Sequence, residues 1–63
     1  MKVGIKVKLK GYGDKEIIRH VVGLENDTVI VCQVEEYKKA LLEKREPMTV
    51  GFPIKYVIGE LIE

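Results

Sequence analysis

Val3, Ile5, Val7 and Leu9 occupy every second position near the start of the chain, with Gly4, Lys6, Lys8 and Lys10 between them. Successive side chains of an extended strand point to opposite faces, so this run makes an apolar row on one side and a cationic row on the other. A helix would scatter the same residues around its circumference. The alternation therefore predicts a strand over Lys2–Lys10, half buried and half in water, and commits the chain to a sheet. Gly11-Tyr12-Gly13-Asp14 follows as a turn, because glycines supply the positive φ angles that a reversal needs.

A second strand is expected over Glu16–Leu24, with mixed parity. Ile17 and Val21 fall on one face, and Ile18, Val22 and Leu24 on the other. A strand apolar on both faces is either central or bulged. Glu25-Asn26-Asp27 reads as a tight turn, since Asn and Asp tolerate the left-handed conformation. Thr28–Gln33 is uncharged and rich in β-branched residues, and completes a hairpin with the second strand.

The period then changes. Val34, Tyr37 and Leu41, bordered by Ala40, recur at helical spacing, with Glu35 and Glu36 in the first turn and Lys44 and Arg45 in the last. Pro47 stops the run. These signals predict a helix over Val34–Arg45, weakly capped by Gln33 and meeting the sheet through Val34, Tyr37 and Leu41. Leu42 and Met48 lie off that stripe and, if exposed, form a patch suited to self-association. Beyond Pro47 the expectations are a short strand over Met48–Gly51, a turn at Gly51-Phe52-Pro53, a 3₁₀ turn over Ile54–Val57 and a last strand over Val57–Ile62 broken by Gly59.

The fold class expected is thus mainly β with one helix: a small five-stranded barrel in a single domain, residues 1–63, with helix Val34–Arg45 inserted between strands three and four. Closure removes exposed strand edges. A chain of 63 residues is short enough that burial alone supports only marginal stability. One Cys cannot form an intrachain disulfide, and one Cys with one His cannot complete a zinc site, so no metal or cofactor is expected. A lone thiol suits a reducing cytoplasm. No signal-like apolar stretch or run of membrane-spanning length is visible, so no membrane partner is expected. A formal net charge of +1 argues against a dedicated nucleic-acid protein unless charge is segregated on one face.

Gly51-Phe52-Pro53-Ile54-Lys55-Tyr56-Val57 resembles the end of SH3 domains, where a Gly, an apolar residue, a Pro and a Tyr-Val lead through a 3₁₀ turn into the last strand. The resemblance implies an SH3-like barrel, with Pro53 and Tyr56 at the positions that line that family's ligand groove. Leu9-Lys10-Gly11-Tyr12-Gly13-Asp14 only hints at the family's Ala-Leu-Tyr-Asp-Tyr segment, and the groove Trp is missing. The resemblance therefore extends to barrel topology and not to that family's peptide specificity. Glu35-Glu36-Tyr37, Arg45-Glu46-Pro47 and Val50-Gly51-Phe52-Pro53 also resemble segments of small uncharacterised bacterial proteins.

Four constellations carry candidate chemistry. Tyr12, Phe52, Pro53 and Tyr56 would rim a groove for an extended peptide if the barrel closes, or would simply pack the core and turns. Lys6, Lys8 and Lys10, extended by Lys2 and joined by Lys55, would form a cationic ladder for single-stranded nucleic acid, or a solubilising edge. Cys32 and His20 would make a thiolate–imidazole pair if their strands are neighbours, or a buried apolar Cys beside a surface His. Gly11-Tyr12-Gly13 lacks the Gly-Lys-Ser/Thr continuation and following helix of a phosphate loop. The chain contains no Ser nucleophile, and Glu35 and Glu36 point apart on a helix. The expected function is a non-enzymatic module that binds protein or itself, with nucleic-acid binding as the alternative.

Overall fold

The computed structural model describes residues 1–61 of the chain. Five strands and one helix follow in order: β1 (Lys6–Lys10), β2 (Glu16–Glu25), β3 (Thr28–Cys32), α1 (Val34–Glu43), β4 (Val50–Pro53) and β5 (Val57–Leu61). Single 3₁₀ turns, Tyr12–Asp14 and Ile54–Tyr56, join β1 to β2 and β4 to β5. The class is mainly β with one helix, as the alternating and helical periods require. No helix among the described residues is long and apolar enough to cross a membrane.

In β1, Val7 and Leu9 are fully buried while Lys6, Lys8 and Lys10 take the opposite face. The strand begins at Lys6 and not at Lys2. Gly4 sits at φ +99°, where the chain bends out of the pleat. The bend stays attached to β2: the Gly4 N–H donates to the Val21 carbonyl at 2.9 Å, and the Val21 N–H to the Ile5 carbonyl at 2.8 Å.

β2 is the longest strand, ten residues, and pairs with both β1 and β3. Its mixed parity has a specific cause. Val21 opposes Val31 and Gly23 opposes Ile30, leaving Val22 as an extra, bulged residue. The insertion lets Val21 and Leu24, three positions apart, both oppose core-facing residues of β3, Val31 and Val29.

Helix α1 ends at Glu43, two residues before the expected Arg45. Lys44 adopts the left-handed conformation, φ 55°. Its N–H reaches the Leu41 carbonyl at 3.3 Å, and the Arg45 N–H reaches that of Ala40 at 3.0 Å. This is a Schellman termination with Lys where Gly is usual, and it puts the bases beyond the last turn. Gln33 makes no side-chain cap, as expected. The helix buries Ala40 and stacks Tyr37 on His20, with ring centroids 3.6 Å apart. Leu41, expected at this contact, is 63% exposed; the helix meets the sheet through the side bearing Tyr37 and Ala40, one turn apart.

Gly51-Phe52-Pro53 is strand, not turn. Thr28 pairs with Pro53, Val29 with Phe52, Ile30 with Gly51 and Val31 with Val50. Pro53 is accommodated because β4 is an edge strand and proline is its last residue. The reversal falls at Ile54–Tyr56, where the Ile54 N–H donates to the Asp27 carbonyl at 2.7 Å. Ile62, the expected end of the last strand, lies outside the described residues.

The strand order is β4-β3-β2-β1-β5, all neighbours antiparallel. β4 and β5 form the two edges and do not pair, so the sheet is not closed into the expected barrel. The first amide of the turn between them is committed to Asp27, and the two strands leave it without forming a hairpin. The apolar face is nevertheless sealed. Val7, Leu9, Val21, Val29 and Val31 are buried there, with Phe52 from one edge strand and Val57 from the other packed against them. The sheet coils round its own apolar face, while the helix lies on the outer face against the row Lys6–His20–Cys32.

Lys44→Gly relieves the left-handed strain of a residue with a Cβ. The expected outcome is a stabilisation of about 1 kcal/mol, seen as a higher urea midpoint with an unchanged slope.

Candidate functional site

The turn after β1 presents Tyr12 to solvent, 99% exposed. Gly13 (φ 67°) and Asp14 (φ 62°) both take the left-handed conformation, which tightens the reversal. Tyr56 comes from the second 3₁₀ turn and Phe52 from β4. These three aromatics, separated by some forty residues in sequence, line one shallow depression together with Lys10, Gly11 and Asp14. Pro53 does not line it. Its φ of −57° and ψ of 136° set the direction in which the chain enters the turn that carries Tyr56. Lys55 places its ammonium 5.9 Å from the centre of the Tyr56 ring, within cation–π range.

Lys6, Lys8 and Lys10 do share one face of β1, as alternation demands. The row is partly neutralised. Lys8 pairs with Glu16 at 3.4 Å and Lys10 with Asp14 at 3.9 Å. Lys2 precedes the Gly4 bend and stands outside the strand. Lys55, on the second 3₁₀ turn, belongs with the aromatic depression.

His20 and Cys32 are direct cross-strand partners. Their surroundings work against a thiolate–imidazolium pair. Burial, and the neighbouring Glu36 carboxylate, push the Cys32 thiol up; burial, and then the Lys6 ammonium, push His20 down. Both groups are held in their neutral forms. The His20 ring is packed face to face with Tyr37, and its buried Nε2 meets no hydrogen-bond partner among the described residues. His20 is thereby packed between sheet and helix. Among the described residues no three His, Cys, Asp or Glu side chains converge to hold a metal.

Glu36 closes the connection from α1 to β4. It accepts from Arg45 Nη1 at 2.7 Å and Arg45 Nη2 at 3.3 Å, and from the Met48 backbone N–H at 3.0 Å. Arg45 also donates from Nε to Glu43 at 2.7 Å. The guanidinium and then the Met48 amide lower the Glu36 carboxyl to about 2. The clasp fixes one rim of a second hollow, a cleft of about 360 Å³ floored by Val31 and Cys32, walled by Val50 and Phe52, and edged by Arg19 and Met48.

Sequence reasoning missed this cleft, although one signal was present. Arg19 shares the parity of Ile17 and Val21, and a charged residue at a core-facing strand position asks for an explanation. Leu42 and Met48, weighed for self-association, are 85% and 80% exposed, and Met48 edges the cleft. Searches against family models, curated proteins and solved structures find no match for this chain.

Two measurements follow. Cys32 in the native protein should react with a disulfide thiol reagent far more slowly than in urea-unfolded protein; equal rates would show an accessible, activated thiol. Glu36 has its folded pKa depressed from an ordinary 4.5 to about 2, so its stabilisation is present above pH 4.5 and lost as pH falls toward 2. The thermal midpoint of Glu36→Gln should start lower at neutral pH and lose this component of the acid slope.

Proposed function

We propose that the chain is a non-enzymatic interaction module of SH3-like topology that binds an extended peptide across Tyr12, Phe52 and Tyr56. The observation that carries this reading is that three aromatic residues border one shallow depression, with Tyr12 almost wholly free in water beside it. A tyrosine this exposed packs nothing within the chain, whereas tyrosines at interfaces supply large contact area at low conformational cost. The finer SH3-like assignment is supported by the 3₁₀ turn that leads from Phe52-Pro53 through Tyr56 into the last strand. Asp14 and Lys10, 3.9 Å apart and both exposed, also border the depression; a peptide's polar groups would have to share this loose pair. The same surface serves a cytoplasmic protein partner or an extended segment of a second copy.

The row of Lys6, Lys8 and Lys10 on one face supports a second reading, weak binding of single-stranded nucleic acid with Lys55 as an outlying contact. Its signature would be a logarithmic salt slope that falls by about 0.7–0.9 per lysine removed.

An array of ten-residue peptides, proline-rich members included, tests the first reading. Wild type should show saturable binding to a subset, and Tyr12→Ala and Tyr56→Ala should each weaken it at least tenfold, or about 1.4 kcal/mol. Tyr12 is so exposed that its removal leaves the fold intact, so loss reports the site. Binding indifferent to both substitutions, or found only with an oligothymidine strand at low salt, overturns the peptide reading. Light scattering on the unliganded protein separates self-association from a foreign partner.

A further inference from the structure

We infer that the cleft between β3, β4 and the start of α1 is a binding site for a small apolar carboxylate, with its tail against Val31, Phe52 and Met48 and its head group on Arg19. This site is separate from the aromatic depression, although Phe52 contributes to both.

The argument begins with the parity of β2. Arg19 opposes Val7 in the register with β1 and so lies on the face that carries the buried cluster. Its side chain is only half exposed and lines the cleft. A guanidinium carries five N–H donors. Among the described residues only one protein acceptor meets them, the Ile18 carbonyl at 2.8 Å from Nη1. No carboxylate among the described residues pairs with it. Arg19 is partly buried beside apolar walls, where a carboxylate partner would find less competition from water than on an open surface.

The one acidic side chain on the cleft does not supply it. Glu36 is already matched by Arg45 and by the Met48 amide. Arg45 is shared between Glu36 and Glu43, so neither Glu36 oxygen turns to Arg19, whose guanidinium is the one cationic group on the cleft without a carboxylate partner among the described residues. The planar guanidinium fork fits a carboxylate with two parallel hydrogen bonds.

The walls decide the rest of the ligand. Val31 and Cys32 are buried at the floor, Val50 and Phe52 form a side, and Met48 is a flexible lip. A small inorganic anion would leave these surfaces bare. An uncharged hydrocarbon would leave the guanidinium unmatched. A short apolar tail ending in a carboxylate meets both demands, and about 360 Å³ lies within the range of small-ligand pockets.

Octanoate is the probe, with 1-octanol, acetate and inorganic phosphate as controls, read by backbone amide chemical shifts of the full chain. Octanoate should bind saturably and shift Val31, Cys32, Met48 and Val50, with each control at least tenfold weaker. Arg19→Met keeps the apolar stem and removes the charge; it should erase the preference for octanoate over octanol and leave octanol binding unchanged. Arg19→Lys, which keeps the charge without the fork, should fall between. Octanoate no tighter than octanol or phosphate overturns the inference. So does an Arg19→Met protein that binds octanoate as wild type does, which would mean the arginine only lays its stem across the cleft and holds its head in water. Shifts centred on Tyr12 and Tyr56 overturn it while leaving the peptide reading standing.

Discussion

Five side chains hold this molecule together: Val7, Leu9, Val21, Val29 and Val31. All belong to the three central strands, and all lie on one face of the sheet. A core this small has no redundancy, because trimming any member opens a void that its few neighbours cannot fill. The outer strands add only partly buried groups, Phe52 from β4 and Val57 from β5. The interior is therefore dense at its centre and loosely finished at its margins. Both candidate hollows open at one margin, and Phe52 borders each of them.

β2 organises the two faces. Its inward row places Arg19, which lines the cleft, between Ile17 and Val21 of the apolar cluster. Its outward residue His20 carries the helix through the Tyr37 stack. The bulge at Val22 reconciles these duties, since without it Leu24 would turn away from Val29. The long connection after the helix is then tied down from the helix side by Glu36, which holds Arg45 and Met48 in one grip.

Much of the architecture was legible in the residues. The lysine alternation of β1, the ambiguous parity of β2, the turn at Asn26-Asp27 and the helical spacing after Gln33 are local signals, and each matches the element observed. The errors share a cause: they depend on partners distant in the chain. Gly51-Phe52-Pro53 looks like a turn by composition, yet pairing with β3 makes it a strand. Leu41 looks like the helix contact by spacing, yet the sheet receives Tyr37 and Ala40. Closure was inferred from the need to hide edges, whereas the sheet hides its apolar face and leaves the edges unjoined. Of the aromatic site, Tyr12, Phe52 and Tyr56 border one depression while Pro53 stays at the bend. The cleft at Arg19 went unread because its walls come from β3, β4 and the helix, which no local pattern brings together.

The two unjoined strands give the molecule a seam. Among the described residues no strand ladder crosses it; the two margins are tied through the packing of Phe52 and Val57 against the central cluster, and such contacts yield by degrees rather than all at once. Parting of β4 from β5 would be opposed by the turn that joins them, held by the Ile54–Asp27 hydrogen bond, and by packing on the valine cluster. Whatever lodges beside Phe52 would act on that parting as a wedge or a clip, stiffening or spreading the sheet without disturbing its centre.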